Sequence, residues 1–420
     1  MRYPRVPRSL GALAAVAAVL VVAACGGSGG GGDAAAPGGP ITYADWQIDG
    51  AGRGDALKAA VEGFAQSPGG SPVTIDQIAF PQYQDTLLTQ LGGGTGPDVF
   101  NVTVDDFYNL QSQGLLGDLA GTVTQPASDF IAADKYAFVD GKRYGVIHSV
   151  QNYALFINKD LFAKAGLNPP TTYDEFRADA HALTTADTFG FALRHSTSDP
   201  AGWWYDLSNW VYGFGGRWST DDGTPTVNSP AVKQGVAAFA DMVASKDHPY
   251  GSDGATNRRM FWEGKLAMMI DNAAVPATLL GNNPNLNLQV VKVPFPTDST
   301  VIIPIFTATN ADGKQPEQAG KFVDYWLSKP VQDKLSTDTR GNIMATSLEP
   351  PQSLLAQSPW LQTFSDGTKD AALALPAGYE ENANQFRDAV LREIDQVITN
   401  GKSVDQALDD AQNAVQALKR

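Results

Sequence analysis

The residues that most often catalyse reactions or bind metals do not occur here in the spacing that either task requires. The four histidines form neither a His-x-x-x-His nor a Glu-x-x-His pattern, and there is one cysteine, which argues against a transition-metal site. The Gly-Gly-Gly-Thr-Gly run at residues 92–96 lacks the Lys-Ser/Thr of a P-loop, so we expect it to end a helix. No Gly-x-Ser-x-Gly nucleophile elbow occurs, because the one match to this pattern, at residues 26–30, lies in a glycine-rich run and not between a strand and a helix.

Three pairs of adjacent aspartates remain as candidates for acid–base chemistry, at residues 105–106, 221–222 and 409–410. Side chains that are neighbours in sequence usually point in different directions, so each pair is weak evidence for the two facing carboxylates of a glycosidase. The sequence therefore predicts a protein that binds a ligand without converting it, with no metal and no cofactor.

The composition indicates a globular, acidic protein. The chain has 420 residues, which is long enough for two domains with separate cores. Hydrophobic residues make up 43% and aromatic residues 10%, which excludes disorder over most of the length. The formal net charge is −15, and this excess of acids argues against nucleic acid as a partner.

The amino terminus predicts export. Arg2, Arg5 and Arg8 precede an apolar run at residues 10–22. This run is shorter than the roughly 20 residues of a membrane-spanning helix. A positive start followed by a short apolar run is typical of a signal peptide.

Val-Ala-Ala-Cys at residues 22–25 resembles the lipobox of bacterial lipoproteins. The resemblance implies that residues 1–24 are a removed signal peptide and that Cys25 carries a lipid on the outer face of the cell membrane. A Gly-rich segment at residues 25–40 would then be a flexible tether. The alternative is an ordinary signal peptide with an incidental cysteine.

The elements that must position any binding residues alternate along the chain. Strand-like runs at residues 41–46, 73–80 and 98–102 are each followed by apolar residues at helical spacing. Such alternation predicts an α/β architecture with a mainly parallel sheet. Thr172 with Glu175 has the pattern of a helix-starting capping box.

Half of the eight tryptophans lie between residues 203 and 218, among several glycines. One interpretation is a segment of hydrophobic core followed by turns. The other is a wall of flat side chains that faces a ligand. The sequence leaves both open.

Five segments, taken together and in order, resemble the extracellular solute-binding proteins of bacterial ABC importers, in particular the sugar-binding family that includes maltose-binding protein. They match the family's Asp-Gly-Lys-x-Tyr-Gly turn, its Asn-Lys-Asp-Leu-Phe segment, its Pro-x-Thr-x-x-Glu helix start, its Phe-x-x-Gly-Lys-x-Ala-Met block and its closing Ser-x-x-x-Ala-Leu. The segments are residues 139–145, 158–167, 169–176, 261–268 and 403–408.

The resemblance implies an α/β, two-lobe periplasmic-binding-protein type II fold with a hinge and an interlobe cleft. One lobe would hold residues 41–149 plus about 300–335, and the other about 150–299 plus about 336–420. The protein would be a monomer that closes around a carbohydrate, a mono- or oligosaccharide. It would then deliver this ligand to the permease subunits of an ABC transporter.

Sugars present an apolar face, which aromatic rings cover, and a rim of hydroxyls, which carboxylates, amides and arginines bind. By comparison with the family, we expect twelve residues of these types to line the cleft. They are Trp46, Asp49, Tyr83, Asp105, Gln151, Asn152, Trp203, Trp204, Trp210, Asn272, Arg340 and Phe386.

Several of these residues have an alternative structural role. Trp46 and Trp204 could belong to the core, and Asp105 could cap the helix that follows it. Gln151 could lie in the hinge without touching a ligand. Arg340 could pair with a carboxylate.

Three segments depart from the family pattern, at residues 146–148, 273–275 and 299–302. They would alter the walls of the pocket, so the particular sugar cannot be inherited from the resemblance. Three alternatives therefore stay open: an exported polysaccharide hydrolase, a receptor for a non-sugar solute such as a glycerophosphodiester, and a binding accessory to a surface sensor.

Overall fold

The computed structural model describes residues 38–50, 53–78, 80–126, 129–339 and 352–418. Cys25, Arg340, the signal peptide and most of the tether lie outside these ranges. No helix in the described ranges has the length and apolarity needed to cross a membrane.

The described strands and helices alternate through much of the chain, as the sequence predicted. The strands are β1 Ile41–Ala44, β2 Val73–Asp76, β3 Val99–Thr103, β4 Phe138–Val139, β5 Lys142–Arg143, β6 Gly145–Asn158, β7 Phe189–Ala192, β8 Leu266–Asn272, β9 Leu288–Val291, β10 Val301–Thr309 and β11 Ala372–Leu373. The helices are α1 Gly54–Gly63, α2 Phe80–Gly92, α3 Val104–Ser112, α4 Lys159–Ala165, α5 Tyr173–Leu183, α6 Pro200–Gly213, α7 Pro230–Ser245, α8 Gly254–Trp262, α9 Val275–Asn282, α10 Pro316–Leu327, α11 Lys329–Asp338, α12 Gln352–Gln357, α13 Trp360–Gly367, α14 Ala383–Asn400 and α15 Val404–Ala417. Short 3₁₀ helices lie at Trp46–Asp49, Phe64–Gln66, Ala132–Ala137 and Glu380–Asn382.

Local chemistry explains where several elements begin and end. Thr172 and Glu175 form the predicted capping box at the start of α5. Asp45 ends β1 because its side chain accepts a hydrogen bond from the backbone N–H of Gln47 and so starts the first 3₁₀ helix. Helix α2 ends at Gly92, which confirms that the glycine run terminates a helix.

Among the described strands, nine form one mixed sheet. Its main path runs β2-β1-β3-β10-β6-β8-β7, while β11 pairs with β10 and β9 pairs with β6. The outer pairs β1–β2, β1–β3 and β7–β8 are parallel, but β6 and β10 are antiparallel to each other and to β8 and β3. The α/β class is confirmed, whereas the centre of the sheet differs from the parallel arrangement that the alternation predicted.

This difference arises because β6 and β10 are long strands that pass between two hydrophobic cores. Val146 and Ile147 of β6 belong to a first core with β1, β3, α1, α3 and α10. Leu155 and Ile157 of the same strand belong to a second core with α5, α6, α7, α14 and α15. A smaller cluster packs around Phe156, beneath α8, α9 and α13.

Candidate functional site

The candidate site lies where the carboxyl ends of strands from both cores meet. In α/β sheets this edge is the usual place for a ligand, because the loops that follow the strands leave a crevice there. Strands β1 and β3 end at Ala44 and Thr103, and β7 and β8 end at Ala192 and Asn272. Asp45, Asp105 and Arg194 lie within two residues after β1, β3 and β7, and Asn272 is itself the last residue of β8.

Asp105 joins the two cores. It lies in the first turn of α3, directly after β3, and its carboxylate accepts a hydrogen bond of 2.5 Å from the hydroxyl of Tyr205 on α6. Helix α3 packs in the first core and α6 in the second. The sequence motifs did not predict Tyr205. It is the one residue between positions 202 and 213 of α6 that is partly and not fully buried.

The electrostatics of this cluster favour protonated carboxyls. Burial raises the pKa of Asp105, and the hydrogen bond from Tyr205 and the charge of Arg387 oppose this rise. Burial and the neighbouring Asp105 raise the pKa of Asp106 to about 7. Asp106 also accepts hydrogen bonds from Gln84 and Thr103. A carboxyl that titrates near neutral pH can donate or accept a hydrogen bond, and ligand hydroxyls can do both.

Trp46 and Tyr83 lie together at the end of β1. Their ring centroids are 4.8 Å apart with an edge-on angle of 64°, and Trp46 is half-buried whereas Tyr83 is buried. The Tyr83 hydroxyl lies 2.9 Å from the carbonyl of Ala44 and 2.7 Å from that of Asn101, so it ties β1 to β3. The side chain of Asp49 is outside the described part of the structure.

Gln151 and Asn152 lie where β6 passes from one core to the other. Gln151 is half-buried and pairs with Ile303 of β10. Asn152 is buried and donates a 2.9 Å hydrogen bond to the carbonyl of Phe364. Asn272 lies beside this crossing, opposite Tyr153, and its side-chain oxygen accepts a hydrogen bond from the backbone of Ala274.

The tryptophan-rich segment is α6 and the turn after it, and it packs in the second core. Trp204 is 4% exposed, stacks on Trp218 with centroids 4.5 Å apart, and donates its indole N–H to the carbonyl of Ala374. Phe386 contacts Trp204 edge-on. Trp203, Trp210 and Phe386 are at most 1% exposed. The structure therefore assigns these side chains to the core, and a ligand contact by any of them stays a prediction.

Buried arginines accompany the strand ends in the second half of the molecule. Arg194 follows β7 and pairs with Asp206 of α6. Arg258 of α8 binds both oxygens of Asp271 at 2.7 and 2.9 Å. Each guanidinium thus has its own carboxylate. Within the described ranges, no cluster of three or more metal-ligating side chains occurs.

Comparisons with known proteins agree with this architecture. A sequence model of the bacterial extracellular solute-binding protein family matches residues 48–333. The diacetylchitobiose-binding protein DasA of Streptomyces coelicolor is 26% identical over 336 residues, which covers 74% of this chain and 77% of that protein.

Two solved structures have the same two-lobe fold. The GacH receptor of Streptomyces glaucescens, solved unliganded and with acarbose, has a TM-score of 0.79 and 23% identity, covering 90% of this chain and 98% of that one. UgpB from Mycobacterium tuberculosis in complex with glycerophosphocholine has a TM-score of 0.78 and 16% identity, covering 90% and 98%. At these identities the likeness establishes the fold alone, and the predicted two-lobe periplasmic-binding-protein type is confirmed.

Proposed function

Because the chain belongs to the bacterial extracellular solute-binding protein family, we propose that it captures a mono- or oligosaccharide between its lobes and delivers it to the permease of an ABC importer. It is a binding protein and not an enzyme, since the family and its matched relatives are binding proteins. The hydrolase that the sequence left open is therefore set aside. The observation that carries the proposal is the polar junction of Asp105 and Tyr205 between the two cores.

The lobes that we propose are residues 41–149 plus about 300–335, and about 150–299 plus about 336–420. Two separate hydrophobic cores support this division. Strands β6 and β10, which contribute to both cores, would then form the hinge. Closure about these strands would bring the residues after β1 and β3 toward those after β7 and β8.

The available side chains suit a carbohydrate. Trp46 offers a half-buried ring, and Asp105, Asp106 and Gln151 offer hydrogen-bonding groups for a rim of hydroxyls. The names of relatives point the same way, because DasA is a diacetylchitobiose-binding protein and GacH was solved with acarbose.

A glycerophosphodiester is the second candidate ligand. It is favoured by the likeness to UgpB, which was solved with glycerophosphocholine. Such a ligand has one phosphate and fewer hydroxyls than a sugar. Its binding would therefore depend more on a positively charged side chain in the cleft.

A family of extracellular proteins implies export, and we place this protein on the outer face of the cell membrane, as a monomer held by a lipid on Cys25. Substitution of Cys25 by Ser should release the protein into the soluble fraction, because the lipid can no longer be attached. Cell fractionation with immunodetection measures this. Unchanged membrane attachment would contradict the lipid anchor.

A thermal-shift screen followed by calorimetric titration tests the function. The purified protein is mixed with neutral mono- and oligosaccharides and with glycerophosphocholine, and the ligand is recovered and analysed. A raised melting temperature with unchanged ligand supports a receptor. Turnover of the sugar, or no stabilisation by any compound, would contradict the proposal.

A further inference from the structure

The side chain of Arg53, shortly after the end of β1, is not accounted for by the bonding described above. It follows β1 and the first 3₁₀ helix and is half-buried. Within the described residues its guanidinium makes no hydrogen bond and no ion pair. Arg194 and Arg258, by contrast, each bind a carboxylate.

The turn that carries Arg53 holds its side chain close to the backbone. Gly50 accepts hydrogen bonds from the backbone N–H groups of Arg53 and Gly54 at 3.2 and 2.8 Å. A Cβ atom at position 50 would lie 2.6 Å from Nε and 3.2 Å from Cγ of Arg53. Glycine at position 50 is therefore what lets the arginine fold back over its own turn.

Asp45 attracts Arg53 electrostatically, but the hydrogen bonds of its carboxyl group come from other residues. The two oxygens of Asp45 accept hydrogen bonds from the backbone N–H of Gln47 at 2.8 Å and from the hydroxyl of Tyr43 at 3.2 Å. Burial raises the pKa of Asp45 to about 6 despite the attraction of Arg53, so this carboxyl is partly protonated at mildly acidic pH.

A further observation indicates that an acceptor is missing beside Arg53. The side-chain amide of Gln47, in the same turn, is fully buried, and among the described residues neither of its polar atoms has a hydrogen-bond partner, which is costly in a folded protein. Burial lowers the pKa of Arg53, the charge of Asp45 opposes this shift, and the like charge of Arg258 on α8 adds to it.

We propose that the ligand carries an anionic group, a carboxylate or a phosphate, and that Arg53 is the residue that binds it. This inference rests on the proposed function, because it assigns a chemical class to the ligand of the same cleft. A planar guanidinium matches such an anion with two parallel hydrogen bonds.

The test compares neutral compounds with acidic counterparts by calorimetric titration of the full chain. The probes are maltose, N,N′-diacetylchitobiose, digalacturonate, glucose 6-phosphate and glycerophosphocholine, so that a sugar acid, a sugar phosphate and a phosphodiester are distinguished. We expect at least one acidic probe to bind at least about tenfold more tightly than the neutral sugars. Raised salt should weaken that binding.

Three variants assign the effect to Arg53. R53Q should weaken binding of the acidic probe by at least about tenfold. R53K keeps the positive charge but lacks the two parallel N–H donors of the guanidinium, so its affinity should lie between those of R53Q and the parent protein. R259Q is the matched control, since Arg259 is an exposed neighbour of Arg258 on α8, and it should leave binding unchanged. Melting temperatures of all variants show whether each is folded.

The outcomes separate this inference from the function on which it rests. If neutral sugars bind as tightly as every acidic probe, or if R53Q binds the acidic probe like the parent, the anionic ligand is wrong while the receptor function stands. If no probe binds the parent protein, both are contradicted. If R53Q does not fold, R53K decides the question. Equal affinity of R53K and the parent protein for the acidic probes would contradict a contact through two parallel hydrogen bonds from Arg53.

Discussion

At the scale of single residues, the aromatic side chains divide according to what surrounds them. Trp204 is enclosed, stacked on Trp218 and bonded through its indole N–H to the backbone of Ala374. Trp46 is only half-buried and is supported on one side by the buried ring of Tyr83. A ring that is supported from behind and partly open can stack on a sugar, whereas an enclosed ring mainly stabilises the fold.

Substitution of each tryptophan by Ala should separate these roles. W204A should lower the free energy of unfolding by about 3–5 kcal/mol, because a large buried side chain leaves a cavity. W46A should cost about 1–2 kcal/mol and should mainly weaken ligand binding. Urea denaturation and titration with a ligand from the screen measure the two effects. A W204A protein as stable as its parent would show that Trp204 is not a core residue.

At the scale of elements, two long strands and the hydrogen bond between Tyr205 and Asp105 help to connect the cores. Strand β6 pairs with β10 through its first half and with β8 and β9 through its second, so the backbone runs from one core into the other. The bond from Tyr205 to Asp105 links helices α6 and α3 at the site itself. A ligand that bound Asp105 would have to share or replace this bond.

Removal of the Tyr205 hydroxyl should loosen the contact between α3 and α6. Y205F should lower the free energy of unfolding by about 1–3 kcal/mol, because a buried carboxyl loses its hydrogen-bond donor. The matched control is Y250F, whose parent side chain is 70% exposed, and it should change stability by less than about 0.5 kcal/mol. Urea denaturation measures both variants. Equal stability of Y205F and Y250F would contradict a structural role for the bond.

The sequence predicted these elements unevenly. The alternation of strands and helices and the capping box of Thr172 and Glu175 were readable because they depend on residues close together in the chain. The antiparallel centre of the sheet could not be predicted from the sequence, since it depends on β10 returning to lie between β3 and β6. The contact of Asp105 with Tyr205 spans 100 residues, and no local pattern encodes such a distance.

At the scale of the whole molecule, buried titratable groups act in opposite directions on stability. Burial lowers the pKa of His148 to about 3 and of His195 to about 4. Both stay neutral in the fold while the unfolded chain takes up protons below pH 6.5, so they reduce stability as the pH falls from about 6.5 toward 4. Burial raises the pKa of Asp45 to about 6 and of Asp106 to about 7. These carboxyls take up protons first in the folded state, so they increase stability as the pH falls from about 7 toward 4.

Substitution of Asp106 by Asn should unbalance these contributions. D106N should be at least as stable as its parent at pH 8, because an amide costs less than a carboxylate at this partly buried position. Between pH 7 and 4 the variant should lose stability relative to the parent, by at most about 1.4 kcal/mol per pH unit, the linkage of one proton. Urea denaturation across this range measures the difference. A difference that does not change with pH would mean that Asp106 does not titrate there.

The sequence by itself determined the broad class: an exported, acidic α/β binding protein without a catalytic pattern, related through five ordered motifs to solute-binding receptors. These properties depend on composition and local spacing, which the chain displays directly. Only the tertiary structure decided which predicted residues are enclosed in a core, such as Trp210 and Phe386, and which lie at the junction of the cores, such as Asp105. Only the structure revealed that the guanidinium of Arg53 makes no hydrogen bond or ion pair with the described residues, because burial and pairing depend on residues that folding brings together from distant parts of the chain.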